Sequence, residues 1–191
     1  MLDINNYKII LASASPRRKE LLAGLDIPFS VKKIDFDESI PEKLENEKVA
    51  EYLAIKKSDA FIPLLREGEI VITSDTTVLV GDLLLNKPKD ESEAKAMLNS
   101  LSGKMHQVIT GVCIRSNQKK VNFNSISKVY FKDLEEEEIN YYVTHYRPYD
   151  KAGSYGIQEW LGYIAIEKIE GSYFNIMGLP VHKIYEELQK F

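Results

Sequence analysis

Ile9-Ile10-Leu11-Ala12-Ser13-Ala14-Ser15-Pro16-Arg17-Arg18-Lys19-Glu20-Leu21-Leu22 passes from an apolar run directly into a helix start. The first four residues read as a buried strand. Ser15 fits an N-cap and Pro16 the first helical position, where a missing N–H costs nothing. Arg17 and Arg18 then fall in the first turn of a helix running to about Ala23 and stopped by Gly24. That end of a helix already carries about half a positive charge, so cations there are unfavourable unless an anion joins them. Two guanidinium groups, the hydroxyls of Ser13 and Ser15 and the open backbone N–H groups therefore suit a strongly anionic ligand, with phosphate the best chemical fit. A solvated basic helix start is the plainer alternative. Neither a P-loop nor a G-x-G-x-x-G pattern occurs, so the common nucleotide fingerprints are absent.

Composition narrows the partners. The 191 residues suffice for one substantial domain or a two-lobed unit, and 44% hydrophobic with 28% charged residues is ordinary for a soluble fold. A net charge of −4 argues against a general nucleic-acid binder, so any functional positive charge is local. Cys113 is the single cysteine, which excludes an intrachain disulfide or a cysteine-based zinc site. The opening Met1–Asn6 is polar and lacks a signal-peptide core, and no apolar run approaches the roughly 20 residues that span a bilayer. No membrane association and a cytoplasmic location are expected.

Along the chain, Phe29–Val31 reads as a short strand leading into the acidic loop Asp35-Phe36-Asp37-Glu38-Ser39. That loop is either a solvated turn or a carboxylate source for a cation accompanying phosphate. Lys48 to Ile62 reads as the longest helix, with Val49, Leu53, Ala60, Phe61 and Leu64 at three- and four-residue steps. Lys57 is in phase with this stripe and Lys56 is off it. A lysine so placed either snorkels or reaches an interior anion.

Glu69–Ile72 begins a strand that delivers Asp75 and resumes at Val78–Val80. Gly81-Asp82 then makes a two-residue turn into Leu83–Leu85. The register places Thr76 opposite Lys87, and strict alternation turns Asp75 to the other face unless a bulge or strand end intervenes. Asp90 and Glu93 form a capping box for a helix to Leu101. Strands are expected near Val108–Ile114, Val121–Asp133 and Tyr163–Ile166, with a helix over Leu134–Tyr146 between the last two. His106, with no second ligand near it in sequence, reads as structural. The polar stretch from Arg147 to Gln158 reads as a long loop containing Lys151, a natural place for site residues.

These segments resemble the Maf family of nucleoside triphosphate pyrophosphatases. The likeness rests on Ser13-Ala14-Ser15-Pro16-Arg17-Arg18, Leu53-Ala54-Ile55-Lys56-Lys57, Ser74-Asp75-Thr76, Lys87-Pro88, Leu101 to Val112, Asp150 to Gln158 and Gly171 to Pro180. Ser74, Asn86 and Ser154 replace smaller family residues, and Glu159 stands where a glycine is usual.

The resemblance implies an α/β, two-lobed Maf/inosine-triphosphatase-like fold, with a mixed twisted sheet flanked by helices and a central cleft, over 1–191 as a single domain. It implies hydrolysis of a nucleoside triphosphate to monophosphate and pyrophosphate by water attacking the α-phosphorus, with a divalent cation, Mg2+ or Mn2+. Asp75 is then the catalytic carboxylate, and Glu38 with Asp75 the metal residues. Ser13, Ser15, Arg17, Arg18, Lys57, Thr76, Lys87, Lys151 and Gln158 bind substrate. Ser74-Asp75-Thr76 and Gln158 resemble the dTTP/UTP branch in particular. A modified purine nucleotide such as 7-methyl-GTP, or a non-catalytic nucleotide-binding role in cell division, are the alternatives. Family members are often dimeric, which makes a homodimer a further expectation.

Overall fold

Lys8–Leu11 is strand β1 of the computed structural model, which describes residues 7–191; the polar opening read at Met1–Asn6 lies outside them. The order continues α1 (Pro16–Ala23), β2 (Phe29–Val31), α2 (Val49–Phe61), β3 (Glu69–Val80), β4 (Leu83–Leu85), α3 (Glu91–Leu101) and β5 (Met105–Arg115). Then come β6 (Lys120–Phe131), α4 (Glu136–Tyr146), α5 (Trp160–Ala165), β7 (Ile166–Glu170), α6 (Tyr173–Ile176) and α7 (Val181–Leu188). Among the described residues the strands make a mixed sheet ordered β2-β1-β3-β5-β6-β7, with β4 on β3.

The apolar run of β1 has a direct cause. It lies between two parallel neighbours, with Ile9 opposite Phe29 of β2 and Ile70 of β3. Ile9, Ile10 and Leu11 are all buried, as a parallel strand covered on both faces requires.

The residues fall into two units. One contains the described part of Met1–Asp75 with Thr110–Ser125 and Gly178–Phe191; the other contains Thr76–Ile109 and Ile126–Met177. In the first, Ile10, Ala12, Phe61 and Val71 form a core cluster with Ile34 and Leu65 against it. Helix α2 buries Val49, Ala50, Leu53, Ala54, Ser58 and Phe61. The apolar stripe therefore holds at Val49, Leu53 and Phe61 but not at Leu64, which lies in the 3-10 turn Ile62–Leu64 and is exposed. The backbone of α2 rests directly on β5 at Gly111, where a Cβ would come within 2.2 Å of the Glu51 nitrogen. The Thr73 hydroxyl of β3 donates to the Ala54 carbonyl at 2.7 Å, which fixes α2 against the strand that carries Asp75.

In the second unit, Leu98, Leu101, Val129, Phe131, Ile139, Tyr142 and Leu161 belong to one larger core cluster. His106 is buried there, with its Nε2 2.7 Å from the Tyr155 hydroxyl and its ring edge-on to Phe131. Burial pushes its pKa down to about 4, so the ring is neutral. It is a core histidine, as expected.

Four expectations change. Strand β3 runs unbroken from Glu69 to Val80 rather than stopping at Asp75. The β3–β4 ladder has the anticipated register but ends at Val78 opposite Leu85, so Thr76 and Lys87 are not ladder partners. The chain leaves the sheet because the Asn86 carbonyl accepts from Gly153 N–H, and Pro88 has no N–H with which to extend the ladder. The strand read at Tyr163–Ile166 is displaced: Trp160–Ala165 is helical, burying Leu161 and Ala165 four apart, and β7 starts at Ile166. In the cap of α3, Asp90 accepts from Glu93 N–H, but Glu93 reaches back to Lys89 N–H rather than to Asp90.

Candidate functional site

The first unit contains seven of the singled-out residues. Ser15 caps α1, its Oγ accepting the Arg18 N–H at 3.4 Å, and Ser13 Oγ accepts the Ser15 N–H at 3.1 Å. The two serines thus shape the helix start that places Arg17 and Arg18. The side chain of Arg18 turns inward: Nη1 donates to the Ser74 carbonyl at 2.8 Å and Nε to the Gly178 carbonyl at 2.9 Å. Burial lowers its pKa, with Asp75 acting in the opposite direction and Arg17 adding to the lowering. Arg18 is therefore a charged tie to the backbone just before Asp75, and Arg17, beside it in the first turn of α1, is half-buried as well.

Lys57 resolves the choice between snorkelling and an interior anion. Its Nζ lies 3.5 Å from Asp75 Oδ1 and donates to the Ser74 carbonyl at 3.2 Å. The Phe36 ring lies beneath it, 4.9 Å to the centroid. Burial is the largest effect on Lys57 and lowers its pKa; Asp75 and Glu38 raise it and Arg18 lowers it. Asp75 and Glu38 are thus both within electrostatic reach of one ammonium. The Asp75 side chain remains 26% exposed against 12% for Lys57, so the carboxylate is the accessible member of the pair.

Glu38 lies in the irregular segment after β2. Lys56 holds that segment, donating to Asp37 Oδ2 at 2.8 Å and to the Ser39 carbonyl at 3.2 Å, on either side of Glu38. This pairing holds Asp37 well below the usual carboxylate range. Sequence reasoning set Lys56 aside because it left the apolar stripe. It also missed Phe36 and the Gly178 carbonyl; no local pattern marks a carbonyl or ring that matters through tertiary contact.

In the second unit, Thr76 follows Asp75 on β3 and Lys87 is exposed beyond the end of β4. Lys151 is buried, with its Nζ 2.8 Å from Asp150 Oδ1 and 2.9 Å from Glu159 Oε1. Gln158 presents a buried Oε1 without a hydrogen-bond donor. A sheltered acceptor of this kind is costly unless a ligand or an ordered water supplies the donor.

Asp75 and Glu38 are hard oxygen donors. Mg2+ is characteristically held by one or two carboxylates with phosphate oxygens and water completing the shell, rather than by an all-protein cage. Among the described residues no group of three or more His, Cys, Asp or Glu could hold an ion. As hard oxygen donors, Asp75 and Glu38 are chemically compatible with a cation that arrives with phosphate. No helix among the described residues is long and apolar enough to cross a membrane.

The family described as Maf-like protein matches residues 8–191. The chain is 52% identical over 190 residues to a dTTP/UTP pyrophosphatase of Parabacteroides distasonis, covering 99% of this chain and 98% of that one. It is 52% identical over 195 residues to a dTTP/UTP pyrophosphatase of Porphyromonas gingivalis, covering 100% and 98%. With the Bacteroides thetaiotaomicron protein of the same name it shares 49% over 189 residues, 98% of each chain. Among solved structures, the Staphylococcus aureus Ham1 protein aligns with a TM-score of 0.45 at 17% identity, over 65% of this chain and 71% of that chain.

Proposed function

The chain belongs to the Maf-like protein family, and from that premise we propose that it is a nucleoside triphosphate pyrophosphatase preferring dTTP and UTP. Water attacks the α-phosphorus, the bond from that phosphorus to the bridging oxygen breaks, and a monophosphate and pyrophosphate leave. Full-length identity near 50% to relatives named for this activity supports the reaction. The observation that carries the chemistry is the Asp75 carboxylate, accessible, with Lys57 at 3.5 Å and the Arg18-bound carbonyl of Ser74 directly before it.

Asp75 accepts the proton of the attacking water, or would serve chiefly as a ligand to a divalent cation. Arg17, with Lys57 and the α1 start behind Ser13 and Ser15, offsets phosphate charge. Lys87 adds a further exposed cation. Asp75 and Glu38 would hold Mg2+ or Mn2+, which supplies Lewis acidity toward phosphate oxygens when bound. Gln158, whose sheltered Oε1 lacks a donor, meets the N3–H of uracil or thymine; its amide N–H2 can donate to a ring carbonyl, and Thr76 assists. The enzyme acts on free nucleotides in the cytoplasm.

Pyrophosphate release from a panel of UTP, dTTP, CTP, ATP, GTP and 7-methyl-GTP, with Mg2+ and with Mn2+, tests the reading. UTP and dTTP should lead. Highest turnover on 7-methyl-GTP would move the enzyme to the modified-purine branch, and silence across the panel would leave a nucleotide-binding module.

A further inference from the structure

Glu159 closes a set of contacts on the loop that carries Gln158. Its Oε1 lies 2.9 Å from Lys151 Nζ, and its Oε2 accepts a short hydrogen bond from the Tyr142 hydroxyl. That hydroxyl oxygen in turn accepts the Gly156 N–H at 3.0 Å. The backbone makes a tight turn here, Glu159 N–H donating to the Gly156 carbonyl at 3.0 Å, with Ile157 and Gln158 as its central residues. The carboxylate folds back over that turn. A Cβ on Gly156 would come within 2.8 Å of Glu159 Cδ, so the glycine leaves room for it. At the far end, Lys151 is buried, and Asp150 Oδ1 at 2.8 Å completes the neutralisation of its ammonium.

We propose that Glu159 is a positioning residue for base selection: bridging Lys151 and Tyr142, it fixes the Gly156–Glu159 turn and with it the orientation of the Gln158 amide. Lys151 is then the cation of this clamp rather than a phosphate ligand. The inference rests on Gln158 reading the base, as set out above. A buried ammonium between two carboxylates, one of them also hydrogen-bonded to a buried tyrosine, is costly to break from one side, because the remaining charge stays buried and unpaired. The turn therefore has one stable form. A Gln158 amide held in one orientation keeps its acceptor aimed, which is what separates N3–H of uracil from the bare N3 of cytosine.

The test compares UTP and CTP in Glu159→Gln and Glu159→Asp. Glu159→Gln keeps the volume and the reach to Tyr142 but loses the charge. It should lower the UTP:CTP ratio of kcat/KM about tenfold, mainly by raising KM for UTP. Glu159→Asp keeps the charge and should recover part of the ratio. Lys151→Met should lower the ratio similarly, and the double variant Lys151→Met/Glu159→Gln no further, since both changes cut one clamp. Inorganic tripolyphosphate separates the roles of Lys151: as a competitive inhibitor it should bind Lys151→Met as it binds the parent. A UTP:CTP ratio held within twofold in Glu159→Gln, or a tripolyphosphate Ki raised tenfold in Lys151→Met, overturns the proposal. If the parent protein itself shows no preference for UTP, the base reading fails and the clamp with it. A parent preference that survives in the variants sinks the clamp alone.

Discussion

The Arg18 guanidinium donates to the main-chain carbonyl of Ser74 at 2.8 Å, one residue before Asp75. The same fork reaches the Gly178 carbonyl. Arg18 thus ties the start of α1 to the backbone that carries Asp75.

Arg18→Ala should destabilise the protein as well as impair turnover. Hydrogen bonds from a charged donor contribute about 1.5–3 kcal/mol each, and 1 kcal/mol shifts Tm by about 2–4 °C in a chain of this size. A fall of about 5 °C or more by differential scanning calorimetry is expected. Arg18→Lys cannot reproduce the two-pronged geometry and should recover little of it. An unchanged Tm would show that the two carbonyl bonds add nothing net.

Asp75→Asn should leave the fold intact and cut turnover by about 10²–10⁴-fold. If Asp75 acts chiefly on the metal, excess Mn2+ restores part of the rate; if it is the base, it does not. The same change removes the main influence that raises the Lys57 pKa against burial. Lys57 should therefore titrate lower still in the variant, read as faster amine acylation at Lys57 by mass spectrometry at fixed pH. Near-parental turnover in Asp75→Asn would refute both roles.

UTP and dTTP should exceed CTP and the purines by one to two orders of magnitude in kcat/KM, since a mismatched buried polar group costs about 1–3 kcal/mol. Gln158→Leu should remove most of that margin. Equal rates on ATP or GTP would contradict the assignment of Gln158.

His106 makes the fold acid-sensitive. Its folded-state pKa of about 4 lies below the ordinary 6.5, so between those values the unfolded chain binds the additional proton. The stability contributed by the neutral ring is present above pH 6.5 and is lost as pH falls toward 4, by about 3 kcal/mol in all. Urea unfolding at pH 7, 5.5 and 4 should show that slope, and His106→Phe should flatten it. An identical slope in the variant would assign the effect to other groups.

Local patterns carried much of this. The strand-to-helix passage at Ile9–Leu22, the Ser15 cap, the Val80–Leu83 register and the phase of Lys57 each depend on neighbours within a few residues, and each is found where the sequence placed it. What the sequence hid depends on distant partners. The Asn86 carbonyl turned away to Gly153, and Glu159 acquired Lys151 and Tyr142 as partners. Trp160–Ala165 carries aromatic and β-branched residues that suit a strand, but tertiary burial of Leu161 and Ala165 overrode that preference. Lys56 looked idle because its partners, Asp37 and Ser39, are remote on the chain and form no periodic pattern.

The bond from Arg18 to Gly178 spans 160 residues of sequence. Tyr7 closes a longer loop still, its hydroxyl donating to the Phe191 carbonyl at 3.4 Å. A folding chain thus forms α1 from near neighbours but anchors Arg18 only once the segment around Gly178 has docked, so that contact carries the entropic cost of closing a long loop.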